Sequence, residues 1–513
     1  MKVVTGETMQ RMDRRTIEAF GVSGLTLMEN AGRCCAEAIV AEFGSPSKKA
    51  VIVAGKGNNG GDGYVIARLL MEQGWHVRLF VVAVLDEITG DAATNLQRLD
   101  RGVLSFCPHS GDLGQCAASL ADAAVVVDAL LGTGLKSDVR GVYAEAIEII
   151  NACGKPVFAV DIPSGVDAGS GRILGKAVRA DLTVTFAAAK LGNVLYPGAE
   201  LCGRVWVVDI GIPKEVVDEA AGFEFVDHDA ARSLLKRRGR LAHKGDCGHC
   251  LIVAGSTGKT GAAAMSANSA VRAGAGLVSA AIPAALNGIM EVKTTEAMSI
   301  PLPEVEAGFL GEAAYDAIAS AAAGKDAVAI GPGISRTPSI SALVQRLVGD
   351  LDQPLVLDAD GLNAVSENRE VLLHRISAVV ILTPHPGEMA RLAGVSVAEV
   401  EQDRLGIARD FSAMYNVFLL LKGARTVIAS PDGEIAINGS GNPGMASGGM
   451  GDVLTGVLVA LIAQGYAPFA ACKLGAFLHG LSADLVAAEK GEIGISAVDV
   501  QERLPFAFKK LSS

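Results

Sequence analysis

One pattern constrains this chain more than any other. An apolar run of strand length ends in a glycine-rich turn or a carboxylate, helical spacing follows, and the unit repeats in both halves. Ala50–Ala54 (AVIVA) reads as a buried strand, GKGNNGGDG follows as a loop, and Tyr64 to Gln73 places Val65, Ile66, Leu69 and Leu70 at helical spacing. VRLFVVAV, AAVVVDALL, KPVFAVDIPSG, DLTVTFAA and RVWVVDIGIP continue the series. Strand and helix in alternation predict a parallel sheet covered on both faces, whose ligands bind at the carboxyl ends of the strands. Asn58, Asn59, Asp62, Asp128 and Asp161 all fall at such ends. The pattern lapses after Pro213 into a charged stretch containing the basic run Lys236–Arg240, which reads as a connector. It restarts at Cys250. Two α/β domains are therefore expected, over residues 1–225 and 226–513, with the boundary between Ile212 and Asp229.

Composition narrows the class. With 45 Lys+Arg against 56 Asp+Glu the net charge is −11, so nucleic acid is not an expected partner. The N-terminal segment MKVVTGETMQRMDRRTIEAF is too charged for a signal peptide, and no run approaches 18 consecutive apolar residues. The nine cysteines do not form a secreted disulfide framework, and a cytoplasmic location with no membrane partner is expected. Cys247 and Cys250 make a CxxC beside His243 and His249, but without a second pair they read as free thiols rather than a zinc site. The 61 glycines, about 12% of the chain against an average of roughly 7%, concentrate in a few segments.

Gly55, Gly57 and Gly60 match G-x-G-x-x-G between a strand and a helix, a weak dinucleotide signal on its own. Asn58, Asn59, Gly61 and Asp62 add oriented amides and a carboxylate; Asp62 also reads as a helix N-cap. In the second half AGSTGKTGAAA fails as a P-loop because Val253 stands where glycine is required, leaving a glycine-rich turn into a helix near Ala262. NPGMASGGMGDVLTG precedes a helix with Val453, Leu454, Val457, Leu458 and Leu461 on its apolar side. The amides of Gly449, Met450 and Gly451 can form an anion hole there while Asp452 faces an incoming hydroxyl, although Asp at a helix start also caps.

GKGNNGGDG, VDALLGTGL and VDIPSGVD, in that order, resemble the NAD(P)H-hydrate epimerase family over roughly residues 1–222. The resemblance implies a Rossmann-like three-layer sandwich. It implies that Asn58, Asn59, Gly60, Gly61 and Asp62, with Gly132, Thr133, Gly134, Leu135, Lys136, Ser137 and Asp138, contact the hydrated dinucleotide beside a catalytic Asp161. Asn59, Asp128 and Ser164 would bind potassium, an oxygen-only set suited to a hard cation. Asp161 could serve as acid and base during inversion, and capping the turn into PSG explains it equally well.

GPG at Gly331–Gly333, HPGEMAR, KGART and GGMGD resemble the ribokinase-like ADP-dependent NAD(P)H-hydrate dehydratases over roughly residues 229–513. By that resemblance Gly333, His385, Pro386, Gly387, Glu388, Met389, Ala390, Arg391 and catalytic Asp452 contact the hydrate. Lys422, Gly423, Ala424, Arg425 and Thr426, with Asn442, Pro443, Gly444, Met445, Ala446, Ser447, Gly448, Gly449, Met450 and Gly451, would hold ADP with Mg²⁺. His385 with Pro386 and Glu388 also reads as an ordinary helix start. The implied activity is repair of hydrated NADH and NADPH: the R and S hydrates are interconverted, and the S form is dehydrated with ADP giving AMP and phosphate, in an expected homo-oligomer. Two rival readings are a nicotinamide oxidoreductase with Asp86 as ribose acid, 26 residues after Gly60, and a small-alcohol kinase using only the second half. A non-enzymatic nucleotide-binding scaffold is the third.

Overall fold

The computed structural model describes residues 1–44 and 47–513. The chain divides into two compact units, Lys2–Phe223 and Glu224–Ser513, the latter joined by Met1.

In the N-terminal unit seven strands form a parallel sheet among the described residues. The strand Lys49–Ala54 comes first along the chain yet lies inside the sheet. His76–Val81 and Leu104–Phe106 extend it on one side. The chain then crosses over, and Val125–Ala129, Val157–Val160, Leu182–Phe186 and Arg204–Val208 extend it on the other. The reversal leaves a crevice between Lys49–Ala54 and Val125–Ala129, the switch point where ligands of such sheets bind. The two central strands are buried along almost their whole length, as near-continuous Val and Ile runs require when helices cover both faces.

The helix after the first strand begins earlier than the sequence suggests. It spans Asn58–Glu72, so Asn59, Gly60, Gly61, Asp62 and Gly63 are helical and the expected loop ends at Gly57. The glycines permit close packing. A Cβ on Gly60 would lie 1.9 Å from the Gly55 carbonyl oxygen, and one on Gly63 would lie 2.7 Å from the Ala129 Cβ. Gly57 is the N-cap, which removes the capping reading of Asp62.

The C-terminal unit repeats the reversal. His249–Val253 is flanked on one side by Leu277–Pro283 and Met298–Leu302, and on the other by Ala327–Ile330, Leu355–Leu357, Val380–Leu382 and Phe418–Leu421, all parallel. Val427–Ala429 and Ile435–Asn438 add antiparallel strands, and Phe223–Val226 pairs beyond them. The helix Met450–Ala463 was expected to be amphipathic, but every residue from Val453 to Ala463 is buried. It is a core helix packed against Thr260–Arg272, so close that a Cβ on Gly456 would meet the Ser266 carbonyl oxygen at 2.2 Å. The helix Pro468–Lys490 is long and apolar enough on average to cross a membrane, yet Lys473 and Asp484 interrupt it and most of it is buried in this unit.

Candidate functional sites

A cavity of about 710 Å³ opens at the switch point of the N-terminal sheet. Asn58, Asn59, Asp62, Gly132, Thr133, Gly134, Leu135, Lys136, Ser137 and Asp161 line it. Gly60 and Gly61 do not; they seat the helix against its neighbours. Asp138 turns to solvent, 3.8 Å from Arg140. Asp161 follows the strand Val157–Val160 with φ +66°, a left-handed conformation that Asp and Asn tolerate better than most residues. Its Oδ1 accepts from Lys190 Nζ at 2.5 Å, from Thr185 Oγ1 at 3.0 Å and from the Phe186 amide at 3.3 Å. No partner occupies Oδ2 among these contacts. The ammonium of Lys190 is fully buried, and Thr185 Oγ1 and the Phe186 carbonyl oxygen complete its shell. A buried cation needs such partners.

Sequence reasoning missed Lys190 and Asp13. Lys190 ends the run TFAAAK and is recognisable only once its buried position is known. Asp13 stands on the helix Gly6–Phe20 beside the inward Met9, Met12 and Thr16. An acid on an apolar face was the available signal. Asp62 is buried without a cap role, and burial first, then the charges of Asp161 and Asp13, push its carboxyl well above the usual range.

Asn59, Asp128 and Ser164 come together. Asp128 is fully buried and accepts from the Ser164 amide at 2.8 Å, from Ser164 Oγ at 2.6 Å and from the Leu130 amide at 3.2 Å. Burial outweighs these bonds and lifts its pKa to about 6. The Leu131 carbonyl oxygen receives both Asn59 Nδ2 at 3.2 Å and Ser164 Oγ at 3.1 Å. The side-chain atoms that meet at this corner are oxygens apart from the Asn59 amide nitrogen. A Cβ on Gly132 would lie 3.3 Å from Asn59 Oδ1, so glycine keeps this corner open. Asp86, the ribose acid of the oxidoreductase reading, sits exposed in the turn Leu85–Glu87 and does not line the cavity.

The second site gathers at the carboxyl ends of the C-terminal strands. Asp358 directly follows the strand Leu355–Leu357 and is buried. It accepts from Lys422 Nζ at 2.8 Å, Thr383 Oγ1 at 2.8 Å and Thr455 Oγ1 at 2.9 Å. Burial raises its pKa, but Lys422 and the two hydroxyls outweigh that and hold it below the usual value. Glu388 Oε2 lies 3.8 Å from Lys422 Nζ. Lys422 therefore belongs to an acidic cluster, and a Cβ on Gly451 would come within 3.3 Å of its Nζ. Asp452 occupies the third position of the Met450–Ala463 helix, which is capped by Gly449 at φ +90°, so Asp452 is not the N-cap. Burial first, then Asp358 and Asp360 against the opposing pull of Lys422, raise its pKa to about 7.

His385 does cap a helix. Its Nδ1 accepts from the Gly387 amide at 3.0 Å, the Glu388 carboxylate accepts from the His385 amide at 2.8 Å, and Pro386 opens the helix Pro386–Ala393. Glu388 faces Lys422, while Met389 and Ala390 are buried in packing. Arg391 Nε donates to Asn363 Oδ1 at 2.9 Å. Gly333, at φ +64°, abuts Lys259 and Ala262 of the glycine-rich turn, where Lys259 pairs with Asp360 at 3.1 Å. Arg425 Nη1 donates to the Gly439 carbonyl oxygen at 2.7 Å, with its guanidinium over the Phe225 ring. In the loop running to Gly451, Asp484 holds the Gly441 amide at 3.0 Å and Asn442 Nδ2 at 2.9 Å, while Pro443–Met445 forms a tight turn. Thr426 Oγ1 donates to the Gly423 carbonyl oxygen at 3.2 Å, and Ala424, Ala446, Ser447 and Gly448 lie in the same two segments. Cys250 is buried in its strand, where burial pushes its thiol up, and His249 Nε2 pairs with Ser279 Oγ at 2.9 Å. All nine cysteines are free, and Cys247 and Cys250 are both buried.

Residues 24–192 match the family described as YjeF-related protein N-terminus, and residues 250–505 match the family described as NAD(P)H-hydrate dehydratase. A bifunctional NAD(P)H-hydrate repair enzyme from Moorella thermoacetica is 43% identical over all of this chain and 97% of its own length. The chain belongs to the bifunctional NAD(P)H-hydrate repair enzymes. The member of this family from Escherichia coli is 33% identical across 96% of this chain and 91% of its own. Among solved structures, an ADP/ATP-dependent NAD(P)H-hydrate dehydratase from Bacillus subtilis co-crystallised with ATP and Mg²⁺ is 30% identical, with a TM-score of 0.49 over 56% of this chain and 99% of that one. A hypothetical protein from Streptococcus mutans, 24% identical with a TM-score of 0.50, covers 56% of this chain and 100% of its own and shares the C-terminal fold.

Proposed function

We infer that the N-terminal cavity epimerises the hydrates of NADH and NADPH, and that the C-terminal cluster dehydrates the S hydrate with ADP, releasing AMP and phosphate. The observation that carries this reading is one carboxyl in each unit close to a lysine ammonium: Asp161 at a strand end beside the buried Lys190, and Asp452 at a helix start near the half-buried Lys422. Asp161 has one oxygen held by Lys190, Thr185 and Phe186 and the other available to a ring in the cavity. Asp452 has a pKa of about 7 and stands at a helix N-terminus whose free amides suit a phosphoryl group.

In the C-terminal site the substrate hydroxyl is a poor leaving group until it is phosphorylated. Asp452 takes its proton as the terminal phosphoryl of the nucleotide is transferred. The Gly449, Met450 and Gly451 amides and Lys422 hold the developing charge; the C6–O bond then breaks to release phosphate, the departing phosphate takes a proton from C5, and the C5=C6 double bond reforms. A magnesium ion fits this corner: Asp358, Glu388 and Asp452 set three carboxyls against the one ammonium of Lys422, and hard divalent cations are held by such oxygens together with nucleotide phosphates. Glu388 and Asp452 would be its protein donors, and its charge would offset that of the phosphoryl group.

In the N-terminal site potassium fits the Asn59, Asp128, Ser164 corner, whose oxygens include one buried carboxylate. The ion would supply a fixed positive charge there. Asn59 and Gly132 would then be set for the nucleotide, and Asp161 exchanges a proton with the hydrate. A cytoplasmic location fits nine free cysteines. Purified R hydrate of NADH incubated without ADP should yield the S hydrate, and adding ADP and Mg²⁺ should return NADH. Phosphorylated hydrate accumulating without NADH would instead mark a simple kinase.

A further inference from the structure

The cavity of the N-terminal unit holds a second carboxyl besides Asp161, that of Asp13. The short strand Lys2–Val4 pairs in parallel with Ala189–Lys190, setting Val4 opposite Lys190. It leads directly into the helix Gly6–Phe20, capped by Thr5. One small ladder thus fixes both Lys190 and the helix that carries Asp13. Met9, Met12 and Thr16 mark the buried side of that helix, and Asp13 shares it by spacing. The helix start is held close to the Thr133 loop, since a Cβ on Gly6 would lie 3.0 Å from the Thr133 carbonyl oxygen. Asp13 borders the same cavity as Asp161 and Lys190. No hydrogen bond or ion pair ties its carboxyl to any described residue. Asp161 and Asp13 therefore reach one cavity from separate elements, the first braced by three donors and the second free to meet a ligand.

Inversion at a carbon that bears both a hydroxyl and a ring nitrogen requires a proton delivered on one face and removed on the other. We propose that Asp13 is the second catalytic residue of epimerisation, working on the opposite face of the hydrated ring from the Asp161–Lys190 pair. The proposal rests on the epimerase reading of this cavity. In one direction the Asp13 carboxyl gives its proton to the C6 hydroxyl, and the C6–O bond breaks to release water. The lone pair of the ring nitrogen forms a C6=N bond. Water then adds to C6 from the other face, and Asp161 accepts the proton it sheds. One proton has left Asp13 and one has reached Asp161, with no change in oxidation state, and the reverse direction runs the same steps backward.

The surroundings suit the task. Burial raises the Asp13 pKa, Lys190 lowers it and Asp161 raises it, with the balance at about 6. A group there both donates and recovers protons near neutrality. Asp62 is the third acid facing these groups, and burial first, then the charges of Asp161 and Asp13, push its carboxyl well above the usual range. The reacting pair then needs one shared proton, so epimerisation should weaken as pH rises past about 6.

The test uses the full chain with ADP omitted, following interconversion of purified R and S hydrates of NADH by chromatography. Asp13→Asn should lower kcat about 100-fold or more, with KM within about threefold of wild type. Asp13→Glu should recover at least about tenfold over the Asn variant, a rescue that a packing role would not give. The alkaline limb near pH 6 should vanish in Asp13→Asn. Dehydration of S hydrate by either variant with ADP and Mg²⁺ should match wild type. An Asn variant within about threefold of wild type, or a Glu variant no faster than Asn, would overturn the role of Asp13. Failure of the wild-type chain to interconvert the epimers would instead count against the epimerase reading itself.

Discussion

The two units use the same sheet reversal and place their acids at the same ends of their strands, yet the electrostatics of the two sites diverge. In the N-terminal unit the buried ammonium of Lys190 is committed to Asp161, while Asp62, Asp128 and Asp13 all have raised pKa values. That is a site for moving protons. In the C-terminal unit Lys422 holds Asp358 in its ionised form and leaves Asp452 to titrate near 7, beside a helix N-terminus open to phosphate. That is a site for moving a phosphoryl group. Shared architecture thus sets where chemistry happens, and the pairing of each carboxylate sets which chemistry it is.

This contrast can be broken one unit at a time. Asp452→Asn should lower dehydration of the S hydrate about 1,000-fold or more while leaving epimerisation untouched, measured as NADH return and as epimer interconversion respectively. Lys422→Met removes the partner of a fully buried carboxylate and should destabilise the C-terminal unit by about 3–5 kcal/mol, read as an earlier thermal transition with the epimerase retained. Asp161→Asn should slow epimerisation about 100-fold. Asn tolerates the left-handed backbone at this position, so the loop should keep its shape. Gly60→Ala forces a Cβ against the Gly55 carbonyl oxygen and should cost about 1–3 kcal/mol in the N-terminal unit alone, seen in chemical denaturation. The smallest effect is in pH. Asp452 must be ionised to accept a proton and its pKa is raised to about 7, so kcat/KM for dehydration should rise about tenfold per unit below pH 7 and level above it.

Much of this was legible in the residues. The alternation of apolar runs and helical spacing announced two parallel α/β units, and the carboxylates ending VVVD and FAVD marked the first site. The same signal, LVLD ending in Asp358, recurs in the second half, where the surrounding glycine-rich loops are the stronger local feature. The glycines themselves misled in detail. GKGNNGGDG looks like a loop, but Gly60, Gly61 and Gly63 are there so that a helix can lie against the sheet and its neighbours, a demand visible only in three dimensions. His385 was open to two readings, and its capping geometry shows that a helix start and a place beside Lys422 are compatible. Asp13 and Lys190 stayed hidden for a different reason. Each is a single charged residue in an unremarkable segment, and what singles them out is burial and a shared ladder formed by segments far apart in sequence, Val3 against Ala189 and Val4 against Lys190.

The central claim is that two separate carboxyl sites act in sequence on one damaged cofactor. It is tested most directly by supplying pure R hydrate of NADH, with ADP, Mg²⁺ and K⁺, to Asp161→Asn, to Asp452→Asn, and to an equal mixture of the two, and following the absorbance of the dihydronicotinamide ring. Each variant alone should return little NADH over the time in which wild type finishes. The mixture should recover it at a substantial fraction of the wild-type rate, because the S hydrate made by one variant diffuses to the other. Rapid recovery by Asp161→Asn alone, or a mixture as inert as its components, would contradict the account.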